Sequence, residues 1–309
     1  MGTLGTDIAA IPVTPLDDQL GANPVLQLPI GLQGQLFNIP TYAILDAGQI
    51  SHLPELLDAS GLEHRCLFMG EAAEKWGAQA PWLVRLEKGA PLTRHLFTDG
   101  AVAAPWDLWR AGGAILLTEA GFDAVWGFLR RFTRLKGPDG NWFMFRFWER
   151  LVLPALCADG DPLAAALAWP VQGQALTWFL PDPDAQQVLK ITRSGDGPPP
   201  PLRLTDKTLA TLARATDTAT RNADIAAALS RVPAPIAARF RGHPDLEDLW
   251  ARLRDIGFRD PGQRQDAMAL YLQATAQDTH EQAWTILTSS GPGPQVRVWQ
   301  LQQVLEGAA

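Results

Sequence analysis

Cysteine is nearly absent: Cys66 and Cys157 are the only two in 309 residues. Two thiols cannot make the disulfide framework that staples small secreted domains, and they suit a reducing compartment. No apolar run reaches the roughly 18 residues of a membrane-spanning helix. Residues 1–7 lack a basic segment followed by an apolar one, the mark of a secretory leader. The expectation is a cytoplasmic chain that does not engage a membrane. Gly2 with Thr6 has the letters of a myristoylation site, which we read as coincidence. Histidine is scarce and scattered, at His52, His64, His95, His243 and His280, and neither HExxH nor CxxC occurs. A metal centre therefore has no support in the sequence. There is no GxSxG elbow, no Walker loop and no GxGxxG fingerprint, so no catalytic residue and no cofactor is expected. Basic charge is in deficit as well. Lys and Arg number 26 against 33 Asp and Glu, a net charge of −7, which disfavours a general nucleic-acid or anionic-membrane surface.

What is present is a large apolar fraction, 47%, enough to build a real core. Twelve Trp stand against two Tyr. Trp supplies packing area and also anchors interfaces, the first use being the commoner. The densest aromatic stretch is Trp142-Phe143-Met144-Phe145-Arg146-Phe147-Trp148, opened by the turn signal Pro138-Asp139-Gly140. Its composition predicts a strand. Arg146, Glu149 and Arg150 are embedded in or next to it and must be paired, turned to an edge, or offered to a partner.

Along the chain, residues 1–37 read as a Pro- and Gly-rich N-terminal arm. Short apolar strands follow at residues 42–47, 65–69, 80–86 and 112–118, with helical turns at 53–59 and 71–76. Residues 121–135 place Phe122, Val125, Trp126, Leu129 and Phe132 on one face of an amphipathic helix. Further strands are expected at 171–180 and 187–192, and a helix from residue 151. Residues 38–193 thus form a mixed α/β lobe. Four consecutive prolines, Pro198 to Pro201, mark residues 194–203 as a linker, because proline fits neither a helix interior nor a central strand. Residues 204–309 are helical throughout, with Thr205 as a cap, proline at the starts near 244 and 261, and capping-box spacing at Thr279 to Gln282. The fold class is α+β, an N-terminal mixed α/β lobe followed by a C-terminal all-helical lobe.

One chemical arrangement competes with a purely binding role. His64 and Cys66 are two residues apart at a strand start, so their side chains would face the same way, and a thiol-dependent hydrolase is one reading. A small core cysteine is the other.

Four pieces in order, Tyr42-Ala43-Ile44-Leu45-Asp46-Ala47, Cys66-Leu67-Phe68-Met69-Gly70, Ala80-Pro81-Trp82-Leu83-Val84 and Phe145-Arg146-Phe147-Trp148-Glu149-Arg150-Leu151-Val152-Leu153, carry a resemblance. Over roughly residues 40–156 the chain resembles the adaptor-chaperone family of bacterial type VI secretion systems, first catalogued as a domain of unknown function. Where that family's last block has Asp-Pro-Arg, this chain has Glu149-Arg150-Leu151, so the acid is kept and the family arginine's position holds Leu151. The resemblance implies a non-enzymatic adaptor with an α/β lobe and a helical lobe. Such an adaptor binds a toxic effector protein in the cytoplasm and helps load it onto the VgrG spike protein. Arg146, Glu149, Arg150 and Trp148 are then the partner-binding candidates. A toxin-binding immunity or regulatory protein is the remaining alternative.

Overall fold

The computed structural model describes residues 5–16, 28–100, 108–111 and 113–307. Its elements run, in chain order, β1 (Gly5–Pro12), β2 (Thr41–Asp46), α1 (Leu53–Ser60), β3 (His64–Cys66), α2 (Glu71–Trp76), β4 (Pro81–Leu86), α3 (Pro91–His95), β5 (Ala114–Leu117), α4 (Phe122–Arg130), β6 (Arg134–Lys136), β7 (Trp142–Met144), α5 (Val152–Ala158), α6 (Pro162–Leu167), β8 (Thr177–Asp182) and β9 (Gln187–Ser194). After these come helices only: α7 (Asp206–Ser230), α8 (Ala234–Phe240), α9 (Asp245–Asp255), α10 (Pro261–Ala276), α11 (His280–Leu287) and α12 (Pro294–Gly307). The fold class is α+β, as expected.

Seven strands form one sheet in the order β1-β9-β8-β5-β2-β4-β3, and every pairing in it is antiparallel. β2 is central because all six of its residues can be buried. Successive side chains of a strand point to opposite faces. Tyr42 and Ile44 accordingly join the core that includes Phe122, Leu129 and Leu156, while Ala43 and Leu45 join the one that includes Leu53, Leu57 and Phe97. Both faces are therefore covered by helices. Tyr42 donates its hydroxyl to the carbonyl of Ala120 at 2.7 Å, and burial pushes its ionisation up from the usual tyrosine range. At the entry to β5 only glycine fits, since a Cβ on Gly113 would lie 1.6 Å from the carbonyl oxygen of Ile44.

Several sequence expectations need correction. Part of the arm is sheet: residues 5–12 are the edge strand β1, paired with β9 from Gly5↔Ser194 to Pro12↔Gln187. Leu28, Leu32 and Leu36 are core residues, and residues 1–4 and 17–27 lie outside the described residues. The amphipathic helix stops at Arg130, and its expected last turn is strand β6 instead. The aromatic stretch is a strand only at Trp142–Met144, where it pairs with β6 in a separate two-stranded hairpin, and it continues as irregular chain. Thr279 does not close a capping box, because its hydroxyl donates to the carbonyl of Ala274.

The expected linker is not where the chain divides. It separates into one compact unit ending at Ala213 and another beginning at Arg214, a division that falls inside α7. Residues 194–203 stay with the first unit because Arg203 bridges Lys136 and the amide of Leu204 donates to the carbonyl of Lys136 at 2.8 Å. The start of α7 is held to the same unit by Thr208, whose hydroxyl donates to Asp161 at 2.7 Å. Asp161 also caps α6 through the amide of Leu163. In the second unit, α8 to α12 and the latter part of α7 enclose a core around Leu253, Phe258 and Met268. Among the described residues no helix is long and apolar enough to cross a membrane.

Candidate partner-binding site

β2 ends on an acid. Asp46 is only 4% exposed, and a carboxylate removed from water must collect donors. The turn after β2 supplies one, the amide of Gly48, at 2.8 Å from Oδ1. The other oxygen, Oδ2, accepts from Arg146 Nη2 at 2.7 Å and from the indole Nε1 of Trp148 at 3.0 Å. Both donors come from the irregular segment after β7.

The residue between them points away. Phe147 is fully buried, with its ring 5.9 Å from Phe132, 5.3 Å from Trp148 and 6.3 Å from Trp178. Arg146 and Trp148 thus reach the acid, while Phe147 and the ring of Trp148 beside it fill the aromatic core. This is how a segment with no ladder of its own is fixed. The aromatic composition that predicts a strand is here used for tertiary packing.

Around this knot the charges form two sets. Arg146 Nε lies 2.5 Å from Glu149 Oε1. Arg150 reaches Asp184 at 3.5 Å, and Arg110 lies 3.8 Å from Asp184 and 3.0 Å from Asp99. The three charges of the aromatic stretch are therefore all internally paired, yet Arg146, Glu149 and Arg150 each keep two fifths or more of their side-chain surface in water. Trp148 does not: it is 3% exposed and its indole N–H is spent on Asp46.

Two clefts flank the knot. One, of about 600 Å³, is lined by Phe68, Trp76, Gln79, Met144 and Arg146 among others. The second, of about 220 Å³, is lined by Arg110, Trp148, Glu149, Arg150 and Leu151, with Asp46 at its wall. Gln49 borders both. Trp76, Met144 and Leu151 are exposed. Sequence reasoning missed Asp46, Trp76, Met144, Arg110 and Asp184 as site residues. Asp46 alone had a readable signal, an acid ending an otherwise apolar strand.

His64 and Cys66 are not brought together as a nucleophile and base. The imidazole is used by Asp58, 3.2 Å from Nε2, and by the Leu62 carbonyl, 2.7 Å from Nδ1. Cys66 Sγ accepts from the amide of Phe68, and burial pushes the thiol up from its usual range. That is the opposite of the low-pKa, electropositive setting that makes a cysteine reactive. Among the described residues no three His, Cys, Asp or Glu side chains converge in a way that could hold a metal ion.

No curated protein and no solved structure matches the chain. Residues 41–165 match the model of a family described as "Domain of unknown function (DUF4123)". That span includes Asp46, Arg146 and Trp148 and leaves out β1, β8, β9 and the second unit.

Proposed function

We propose that this chain is a non-enzymatic, cytoplasmic adaptor-chaperone that binds a type VI secretion effector and helps load it onto the VgrG spike. The observation that carries the reading is the family match over residues 41–165. It falls on the same strands and the same Phe145–Leu153 block in which the chain resembles those adaptors. The geometry supports it. Arginine, tryptophan and methionine are enriched at protein interfaces, and here Arg146, Trp76 and Met144 line an open cleft beside a rim of paired but half-exposed charges. A buried knot beneath that rim holds the surface in one shape before a partner arrives, which lowers the ordering cost of binding.

Co-expression of the tagged chain with spike and effector proteins of the same type VI secretion system is the test. The expected result is a complex of all three that survives gel filtration. Failure of the chain to retain either partner overturns the reading. Arg150→Glu, which reverses a half-exposed rim charge, is expected to weaken the complex about tenfold without unfolding the chain. An unchanged complex removes Arg150 from the contact surface.

A further inference from the structure

The β6–β7 hairpin has one face that carries exposed Trp142, Met144, Arg134 and Lys136. Arg134 pairs with Met144 and Lys136 with Trp142, so these four side chains share a face, opposite the buried Leu135. Arg203 joins them on that face by its parallel bridge to Lys136. Trp142 and Met144 are 56% and 57% exposed. The three cations are exposed too, and among the described residues none has a carboxylate at ion-pair distance. Arg134 and Lys136 each sit 5.4 Å from the Trp142 ring centroid. The hairpin's one acid, Asp139, is folded back on its turn, accepting from the amide and side chain of Asn141. A chain with a net charge of −7 thus keeps a patch of unpaired positive charge around exposed apolar side chains.

The same hairpin has an open main-chain edge. The amide of Phe145 donates to Thr133 and that of Gly137 to the carbonyl of Asn141, which makes 133/145 and 137/141 hydrogen-bonded pairs. In the alternation of an antiparallel ladder, 134/144 and 136/142 are then the non-bonded pairs, whose N–H and C=O groups point outward. On the β6 side that outward carbonyl, Lys136, is taken by Leu204. On the β7 side, among the described residues, Trp142 and Met144 make no backbone hydrogen bond outside the hairpin. Met144 and Arg146 line the 600 Å³ cleft together with Trp76 and Ala78. Glu71 and Glu74 of α2 do not line it.

We infer that β7 accepts an extended acidic segment of a protein partner as a third strand. The segment's main chain pairs with the outward groups of Trp142 and Met144. Its alternate side chains meet the apolar and cationic face, as strand addition at an exposed edge requires. The inference rests on the adaptor reading only for the biological source of the segment.

A fluorescein-labelled decapeptide of alternating Glu and Val tests it by fluorescence anisotropy, with a Lys–Val decapeptide as the charge control. The expected result is saturable binding of the acidic peptide and none of the basic one. The double variant Arg134→Glu/Lys136→Glu weakens the acidic peptide at least about tenfold, and the neutral pair Arg134→Gln/Lys136→Gln gives an intermediate loss. Met144→Pro removes an outward amide without touching the bonds to β6, and it abolishes binding while circular dichroism and melting stay as in the parent. No saturable binding up to about 1 mM, equal binding of the two peptides, or binding indifferent to both charge variants overturns the inference. So does an oligothymidylate that binds this face more tightly than the peptide. Peptide binding without an effector–spike complex would leave this surface standing and remove the adaptor reading. A complex formed by a chain that binds no peptide would do the reverse.

Discussion

Two buried carboxylates, one in each unit, are solvated by the same kinds of donor. Asp46 takes an indole N–H, a guanidinium and a backbone amide. Asp224 takes the indole of Trp250 at 2.8 Å, the guanidinium of Arg264 at 2.7 Å and the side-chain amide of Gln265 at 2.8 Å. The difference lies in the arginine. Arg264 is buried with its acid, 4% and 2% exposed, and its remaining donors go to the carbonyls of Phe258 and Arg259. Arg146 is 41% exposed, shares itself with Glu149 and borders a cleft. One knot is closed on itself and holds helices together. The other is open on one side, with its acid in the core and its cation at the surface. The same kinds of donor thus give either an enclosed staple or an anchor with an exposed cation beside a cleft, depending on whether the arginine is buried.

That contrast predicts a ranking. Asp224→Ala strands a buried guanidinium and is expected to cost about 3–5 kcal/mol, read as the loss of the second unit's transition in urea unfolding followed by circular dichroism. Asp46→Ala leaves Arg146 free to turn to water and to Glu149, and only the indole and one amide lose their partner. About 1–3 kcal/mol is expected. The comparison fails if the two substitutions cost the same.

Alkaline pH sharpens it from another side. Tyr42, Cys66 and Cys157 all have ionisations raised chiefly by burial, so the fold favours their neutral forms. The contribution they make is complete below the ordinary thiol pKa of about 8.5 and is lost as pH rises past it, with tyrosine following from about 10. A urea midpoint for the first unit that falls between pH 8 and 10, together with slow alkylation of native Cys66 at pH 7.5, is the expected pair of results. A fast-reacting native Cys66 would contradict the packing described above. The smallest effect belongs to Glu149→Gln. It breaks a half-exposed pair while Asp46 still holds Arg146, and less than about 1 kcal/mol is expected. A larger loss would mean that the rim, and not the acid, fixes Arg146.

Much of this was legible in the sequence where local pattern and burial agree. The apolar run ending in Asp46, the strand from Pro81, the stripe on α4 and the proline-started helices α9 and α10 all form near their expected positions. What was not legible depends on partners distant in the chain. Gly5–Pro12 becomes a strand because β9 is there to pair with it, and residues 203 and 204 join the first unit through Lys136. Aromatic density misled because it records an appetite for burial, which Phe147 and Trp148 satisfy in the core without a ladder. That Arg146, Glu149 and Arg150 need partners was legible, but the acid that anchors Arg146 was not, since Asp46 lies a hundred residues before it.

The convergence of Arg146 and Trp148 on a single oxygen sets a gauge for the chain around it. Two contacts separated by one plugged position fix the phase of the segment, so inserting or deleting a residue between them would force Phe147 out of its ring cluster. Beyond Trp148 that constraint ends. Glu149, Arg150 and Leu151 lie past the last fixed point and are exposed, so substitution there is expected to alter the surface while the register upstream is kept. The triplet in which this chain departs from the pattern it resembles is therefore a stretch where substitution is expected to cost little in folding.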